Sequence, residues 1–154
     1  MVADADPAFL ARLPGGRAVL GQAQSLPGYS LLLADQHPAE RLTDLPRGER
    51  LAFLDSMERL GEAVEIVCRR HDPSFRRINL EILGNLVPSL HAHVWPRYEW
   101  EPDELKIRQV GRYPLESWHE PGTQLGPQHN KLRDDLRAEL KRLVHDGLVP
   151  IVQA

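Results

Sequence analysis

Apolar and polar positions change their period repeatedly along this chain, and each change marks an element. Over residues 46–70 Leu51, Leu54, Met57, Leu60, Val64 and Val67 recur at three- and four-residue steps, which predicts one long amphipathic helix. Asp44 reads as its cap and Pro46 as a first-turn residue, where a missing N–H costs nothing. Cys68, near the helix end with no basic partner in the pattern, reads as a small buried hydrophobe rather than a nucleophile. After the break at His71-Asp72-Pro73-Ser74 the period falls to two. Ile78, Leu80 and Ile82 alternate with Asn79 and Glu81, and Leu90, Ala92 and Val94 alternate with Ser89, His91, His93 and Trp95. These are two strands. The few residues between them predict an antiparallel pair, with Asn79 facing the same cleft as His91, and Pro88 and Pro96 frame the second strand.

The flanks are shorter in period. Residues 7–13 read as a brief helix that starts on Pro7 and stops at Pro14-Gly15-Gly16. Residues 17–24 and 29–34 read as strands joined through the turn residues Pro27-Gly28 into a hairpin. After Arg97 the chain turns acidic and aromatic, then rich in Pro, Gly and Gln from residue 114 to 127, which predicts a long surface loop. Leu132, Leu136, Leu140 and Leu143 then share one face of a helix over 130–145 that stops at Gly147 and packs on the core or on a second subunit.

Strands and helices segregated in this way predict an α+β domain, an antiparallel sheet of about five strands with one long central helix. At 154 residues the chain reads as a single domain, 1–154, long enough to bury a core. A net charge of −3, from 19 basic and 22 acidic residues with no basic block, argues against an extended nucleic-acid surface and for a small partner. No apolar run is long enough to span a bilayer, and Met1-Val2-Ala3-Asp4-Ala5-Asp6 lacks the basic-then-apolar pattern of a signal peptide. One cysteine makes no disulfide framework and fits a reducing cytoplasm.

The row Ser89, His91, His93 is the candidate chemistry. At about 3.3 Å rise per residue its side chains stand roughly 6–7 Å apart, a span that one phosphate fills. Neutral imidazole is a nucleophile, a proton shuttle and a metal ligand. Periodicity alone leaves three readings open: solvated or core-capping histidines, a metal site, and nucleophilic catalysis. The metal reading is short of ligands, because His-x-His supplies two and Cys68 stands alone.

Ser89-Leu90-His91-Ala92-His93-Val94-Trp95-Pro96-Arg97 resembles the signature of the histidine triad family of nucleotide hydrolases and transferases, His-φ-His-φ-His-φ-φ, often closed by Pro-Arg. Ser89 stands at the first histidine, His91 at the middle, nucleophilic one and His93 at the third. Gly84 and Asn85 fall on the family's glycine and on a position commonly Gln, and Leu86 lies where many members carry Ser or Thr. A second stretch, Gly28-Tyr29-Ser30-Leu31-Leu32-Leu33-Ala34-Asp35-Gln36-His37, is similar to the family's Gly-His-x-Leu-φ-φ-Pro-x-x-His, and Leu42-Thr43-Asp44-Leu45 resembles its lead into the central helix. The resemblance covers about residues 17–98, with 99–154 an extension.

That resemblance implies the family's fold, its usual dimer, and attack of the middle histidine on the α-phosphate of a nucleotide to leave a nucleotidyl-histidine. His91 is then the nucleophile, with a backbone carbonyl fixing its tautomer. His93 protonates the leaving group or holds a phosphate oxygen, and Ser89 takes over the orienting work of the first histidine. His37, Asn79, Gly84 and Asn85 complete the substrate contacts; outside the resemblance, Trp118-His119 in the long loop reads either as closing over a base or as a packing tail. The implied substrates are dinucleoside polyphosphates, such as diadenosine tetraphosphate, or nucleoside phosphoramidates. No cofactor is required, although a divalent metal can accompany the nucleotide. The uridylyltransferase branch ranks lower, since it departs at the third triad position and this chain at the first. Two rivals stand beside this reading: a nucleotide-binding or regulatory protein that has lost turnover, and a metal enzyme using His37, His91 and His93.

Overall fold

A computed structural model of the chain describes residues 6–35 and 38–146. Five strands, β1 (Phe9–Leu13), β2 (Gly16–Leu20), β3 (Ser30–Leu33), β4 (Phe75–Ile82) and β5 (His91–Tyr98), form one sheet in the order β1-β2-β3-β5-β4. Every neighbouring pair is antiparallel. The long helix α1 (Arg47–His71) packs on β2 to β5. A single helical turn, α2 (Asp103–Lys106), precedes the last helix, α3 (Asn130–Asp146), which lies against α1 and β1.

The segment predicted as a short helix over 7–13 is strand β1, and the reason lies in its pairing. The register slips between Phe9 and Ala11, so Leu10 and Leu13, three residues apart, both turn inward at 4% and 2% exposure. A bulge therefore imitates a helical period in a strand. The 17–24 strand also ends earlier than expected, at Leu20.

Helix α1 has its predicted extent, and Leu60, Val64 and Val67 of its predicted stripe are buried, while Phe53, Ser56 and Ala63 extend the stripe beyond the predicted positions. Leu51 is 38% exposed. Pro46 occupies the cap position, and Asp44 instead accepts the backbone N–H groups of Glu40 and Arg41 in the turn before it. Small residues set how closely helix and sheet approach. A Cβ on Gly15 would sit 2.4 Å from the Ala52 carbonyl oxygen, while the Gly15 N–H donates to Ser56 Oγ at 2.8 Å. Cys68 is buried, its Sγ lies 3.6 Å from the Pro27 carbonyl oxygen, and burial pushes its thiol up to about 12, so it stays protonated.

On α3 Leu132, Leu136, Leu140 and Leu143 are all buried, so the helix packs on this chain's own core. The predicted stop at Gly147 lies outside the described residues. The stretch after Arg97 departs from a surface loop in its first half: Glu101 and Val110 are 2% and 1% exposed. No described helix is long and apolar enough to cross a membrane.

Candidate active site

Alternation along β5 sends Ala92 and Val94 under α1 and His91, His93, Trp95 and Arg97 to the opposite face. Across that face Glu81 of β4 pairs with His93, and Asn79 with Trp95. Tyr29 enters from the other side, just before β3. Its approach depends on Gly28, whose φ of +100° suits glycine and whose missing Cβ leaves room for Cys68 Sγ. Gln24, 2% exposed, locks this turn: its Nε2 donates to the Gly21 and Tyr29 carbonyls at 2.8 and 2.9 Å, and its Oε1 accepts the Gly28 N–H at 2.9 Å. Tyr29 thereby lies flat on Trp95, ring centroids 3.6 Å apart and 6° from parallel, with its hydroxyl 2.8 Å from His93 Nδ1.

His91 is held differently. Its Nδ1 lies 2.6 Å from the carbonyl oxygen of Ser89. A carbonyl only accepts, so Nδ1 carries the hydrogen, and of the two neutral tautomers this selects the one whose lone pair is on Nε2. The His91 and His93 rings meet edge to face at 4.9 Å. Burial, and then the neighbouring His91, hold His93 down to about 4, so it is neutral at pH 7.

These rings line a cavity of about 480 Å³ whose walls also include Glu81, Gly84, Asn85 and, from beyond the sheet, Tyr113 and Trp118. The Trp118 ring lies 5.6 Å from Trp95. The chain around it is pinned along residues 22–25: Ser25 Oγ donates to the Ser117 carbonyl at 2.6 Å, and the Gln24 N–H to the Thr123 carbonyl at 2.8 Å. Val110 and Tyr113 are fixed from below. Buried Arg97 grips Glu101 through Nε (3.0 and 3.1 Å) and Nη2 (2.8 Å), and Tyr113 donates its hydroxyl to the same carboxylate at 2.6 Å. A larger open groove of about 990 Å³ runs along β4 past Arg97, but it holds neither histidine, and Arg97 already donates to Glu101, Asn79 and the Arg108 carbonyl.

Of the residues singled out in the sequence, His91, His93, Gly84 and Asn85 meet in the smaller cavity. A Cβ on Gly84 would meet only the Glu40 carbonyl oxygen at 3.9 Å, so the fold itself does not crowd that position. Ser89 is exposed and off the cavity wall, its hydroxyl bonded to no described residue; what it gives His91 is its carbonyl. Asn79 is on the predicted face but outside the cavity, accepting from Arg97 Nη1 at 2.8 Å. His119 is off the wall that its neighbour Trp118 joins. His37 lies outside the described residues, and among those described no three His, Cys, Asp or Glu side chains gather as a metal site. Tyr29, Glu81, Trp95 and Tyr113 went unassigned. The alternation that found the histidines already placed Glu81 and Trp95 on a polar face, whereas no local signal brings Tyr113 to it.

A family model described as the HIT domain matches residues 7–100, well over half of the chain. The chain belongs to the HIT domain family. The match begins ten residues before the stretch that carried the resemblance and takes in β1. Solved HIT structures share the fold. A histidine triad protein from Marinobacter aquaeolei VT8 is 20% identical with a TM-score of 0.68, over 92% of this chain and 94% of that one. One from Bradyrhizobium japonicum is 19% identical with a TM-score of 0.63, over 86% and 89%. A hypothetical histidine triad nucleotide-binding protein from Sulfolobus tokodaii strain7 is 12% identical with a TM-score of 0.63, over 96% and 91%. A comparison with curated proteins finds no match.

Proposed function

We propose that this HIT protein is a nucleotide hydrolase or nucleotidyl transferase that works through a covalent nucleotidyl-His91. The observation that carries the reading is the 2.6 Å contact from His91 Nδ1 to the Ser89 carbonyl, which selects the tautomer with the Nε2 lone pair available for attack, on a ring that lines the cavity. Nε2 attacks the α-phosphorus, the P–N bond forms as the bond to the leaving group breaks, and the leaving group departs with its electron pair. Water, or another acceptor, then attacks the same phosphorus and returns the electron pair to Nε2. His93, neutral at pH 7, holds a phosphoryl oxygen as a hydrogen-bond donor. Gly84 and Asn85 supply further donors, and His37 a second oxygen contact. Trp95 and Trp118 offer the base an aromatic wall. The substrates are dinucleoside polyphosphates or nucleoside phosphoramidates, with any divalent metal arriving on the nucleotide, and the working unit is a cytoplasmic homodimer.

A second reading is favoured by one observation. The exposed Ser89 hydroxyl adds nothing to the cavity, so the site has one imidazole fewer than a full triad. On that reading the protein binds nucleotides without turning them over. Incubation with diadenosine tetraphosphate separates the two: mononucleotide product supports the enzyme, and tight binding with no product supports the binding protein.

A further inference from the structure

Tyr29 stands where the second family motif carries its histidine, and its hydroxyl meets the site through a hydrogen bond to His93. The residue is 8% exposed, and the hydrogen-bond partner of its hydroxyl among the described residues is His93 Nδ1 at 2.8 Å. Were Nδ1 protonated, it would donate to the phenol, and the Tyr29 O–H would be left buried without an acceptor, which is costly. We propose that Tyr29 is a positioning residue that donates its O–H to His93 Nδ1, fixes the ring proton on Nε2, and so presents an N–H to the phosphoryl oxygen of the substrate.

Three observations support this. Stacking on Trp95 and the clasp of Gln24 on the Tyr29 carbonyl hold the phenol in place, so the bond needs no reorganisation when substrate arrives. Burial, and then the Glu81 charge, raise the phenol far above its ordinary range, so it remains a donor at any working pH. His93 Nε2 makes no bond to a described residue, although the ring lines the cavity. The ionisable groups facing His93 are Tyr29 beside β3, His91 along β5 and Glu81 across on β4. A phenol that donates its hydrogen to Nδ1 does not take a proton from that nitrogen. This arrangement therefore makes His93 a fixed neutral donor rather than an imidazolium acid.

The catalytic consequence rests on the nucleotide-transfer reading, but the ring proton can be read without it. The test is a long-range ¹H–¹⁵N correlation spectrum of the ¹⁵N-labelled full chain at pH 7, with His93 assigned by its loss in His93→Gln. The expected result is a single tautomer with Nε2 protonated and Nδ1 accepting. In Tyr29→Phe, which keeps the ring stacked on Trp95 and is checked by near-ultraviolet circular dichroism, both tautomers should appear. A His93 proton on Nδ1 in the wild type, or an unchanged pattern in Tyr29→Phe, would overturn the proposal. With diadenosine tetraphosphate, Tyr29→Phe should lower kcat about tenfold and leave KM within about twofold, as expected for a lost positioning bond. If neither protein turns that substrate over, the hydrolase reading fails and the ring-proton result still decides the role of Tyr29.

Discussion

Arg97 and Glu101, four residues apart, form a buried ion pair in which three guanidinium contacts to the carboxylate lie between 2.8 and 3.1 Å. Glu101 also accepts the Tyr98 N–H and the Tyr113 hydroxyl at 2.6 Å each. The pair ties the end of β5 to the segment that carries Val110 and Tyr113 into the cavity wall. Removing one partner strands the other charge away from water. Glu101→Ala should therefore cost about 3–5 kcal/mol of stability, measured by urea unfolding. A change under about 1 kcal/mol would show that the segment is held by something else.

Ser89 works through its carbonyl, which every residue possesses. Ser89→Ala should therefore lower kcat far less than His91→Ala, which should abolish turnover while leaving nucleotide binding measurable. Ser89→His should stay within about one order of magnitude of wild type, equivalent to roughly 1.4 kcal/mol. Parallel kinetics on the three variants check this. An inert wild type that Ser89→His switches on would make the binding protein the better account.

His93 links stability to pH. Its folded pKa of about 4 lies below the ordinary 6.5, so between those values the unfolded chain binds the extra proton. The stability that comes from keeping the ring neutral is complete above pH 6.5 and is lost as pH falls through about 4. Unfolding free energies across that window should decline with acid in the wild type and decline less in His93→Gln. Equal slopes would contradict the burial argument.

Much of this was legible in the sequence. Period-2 alternation fixes which face of β5 carries His91 and His93, and period 3.6 locates α1 and α3, because both patterns are local. Residue 7–13 misled because a bulge at Leu10 spaces two inward leucines like a helix turn. Asn79 was singled out, yet Glu81 reaches the cavity, since register and not residue type decides which side chain lies opposite His93. The parts that stayed hidden come from far along the chain. Trp118 meets Trp95, and Tyr113 meets Glu101, through packing that leaves no periodic trace.

Assembly is a separate prediction. The purified protein should sediment at about twice its 17.5 kDa chain mass, with an apolar face of α1 or an adjacent strand in the contact. A concentration-independent monomer would remove the dimer and leave the chemistry of His91 standing.

The central claim is that His91 Nε2 attacks the α-phosphate. Rapid mixing with diadenosine tetraphosphate, acid-free quenching and mass spectrometry of the digested protein tests it most directly. The account predicts a nucleotidyl adduct on the peptide containing His91, formed within one turnover and absent from His91→Ala. Product release with no adduct at any time, or an undiminished adduct in His91→Ala, would contradict it.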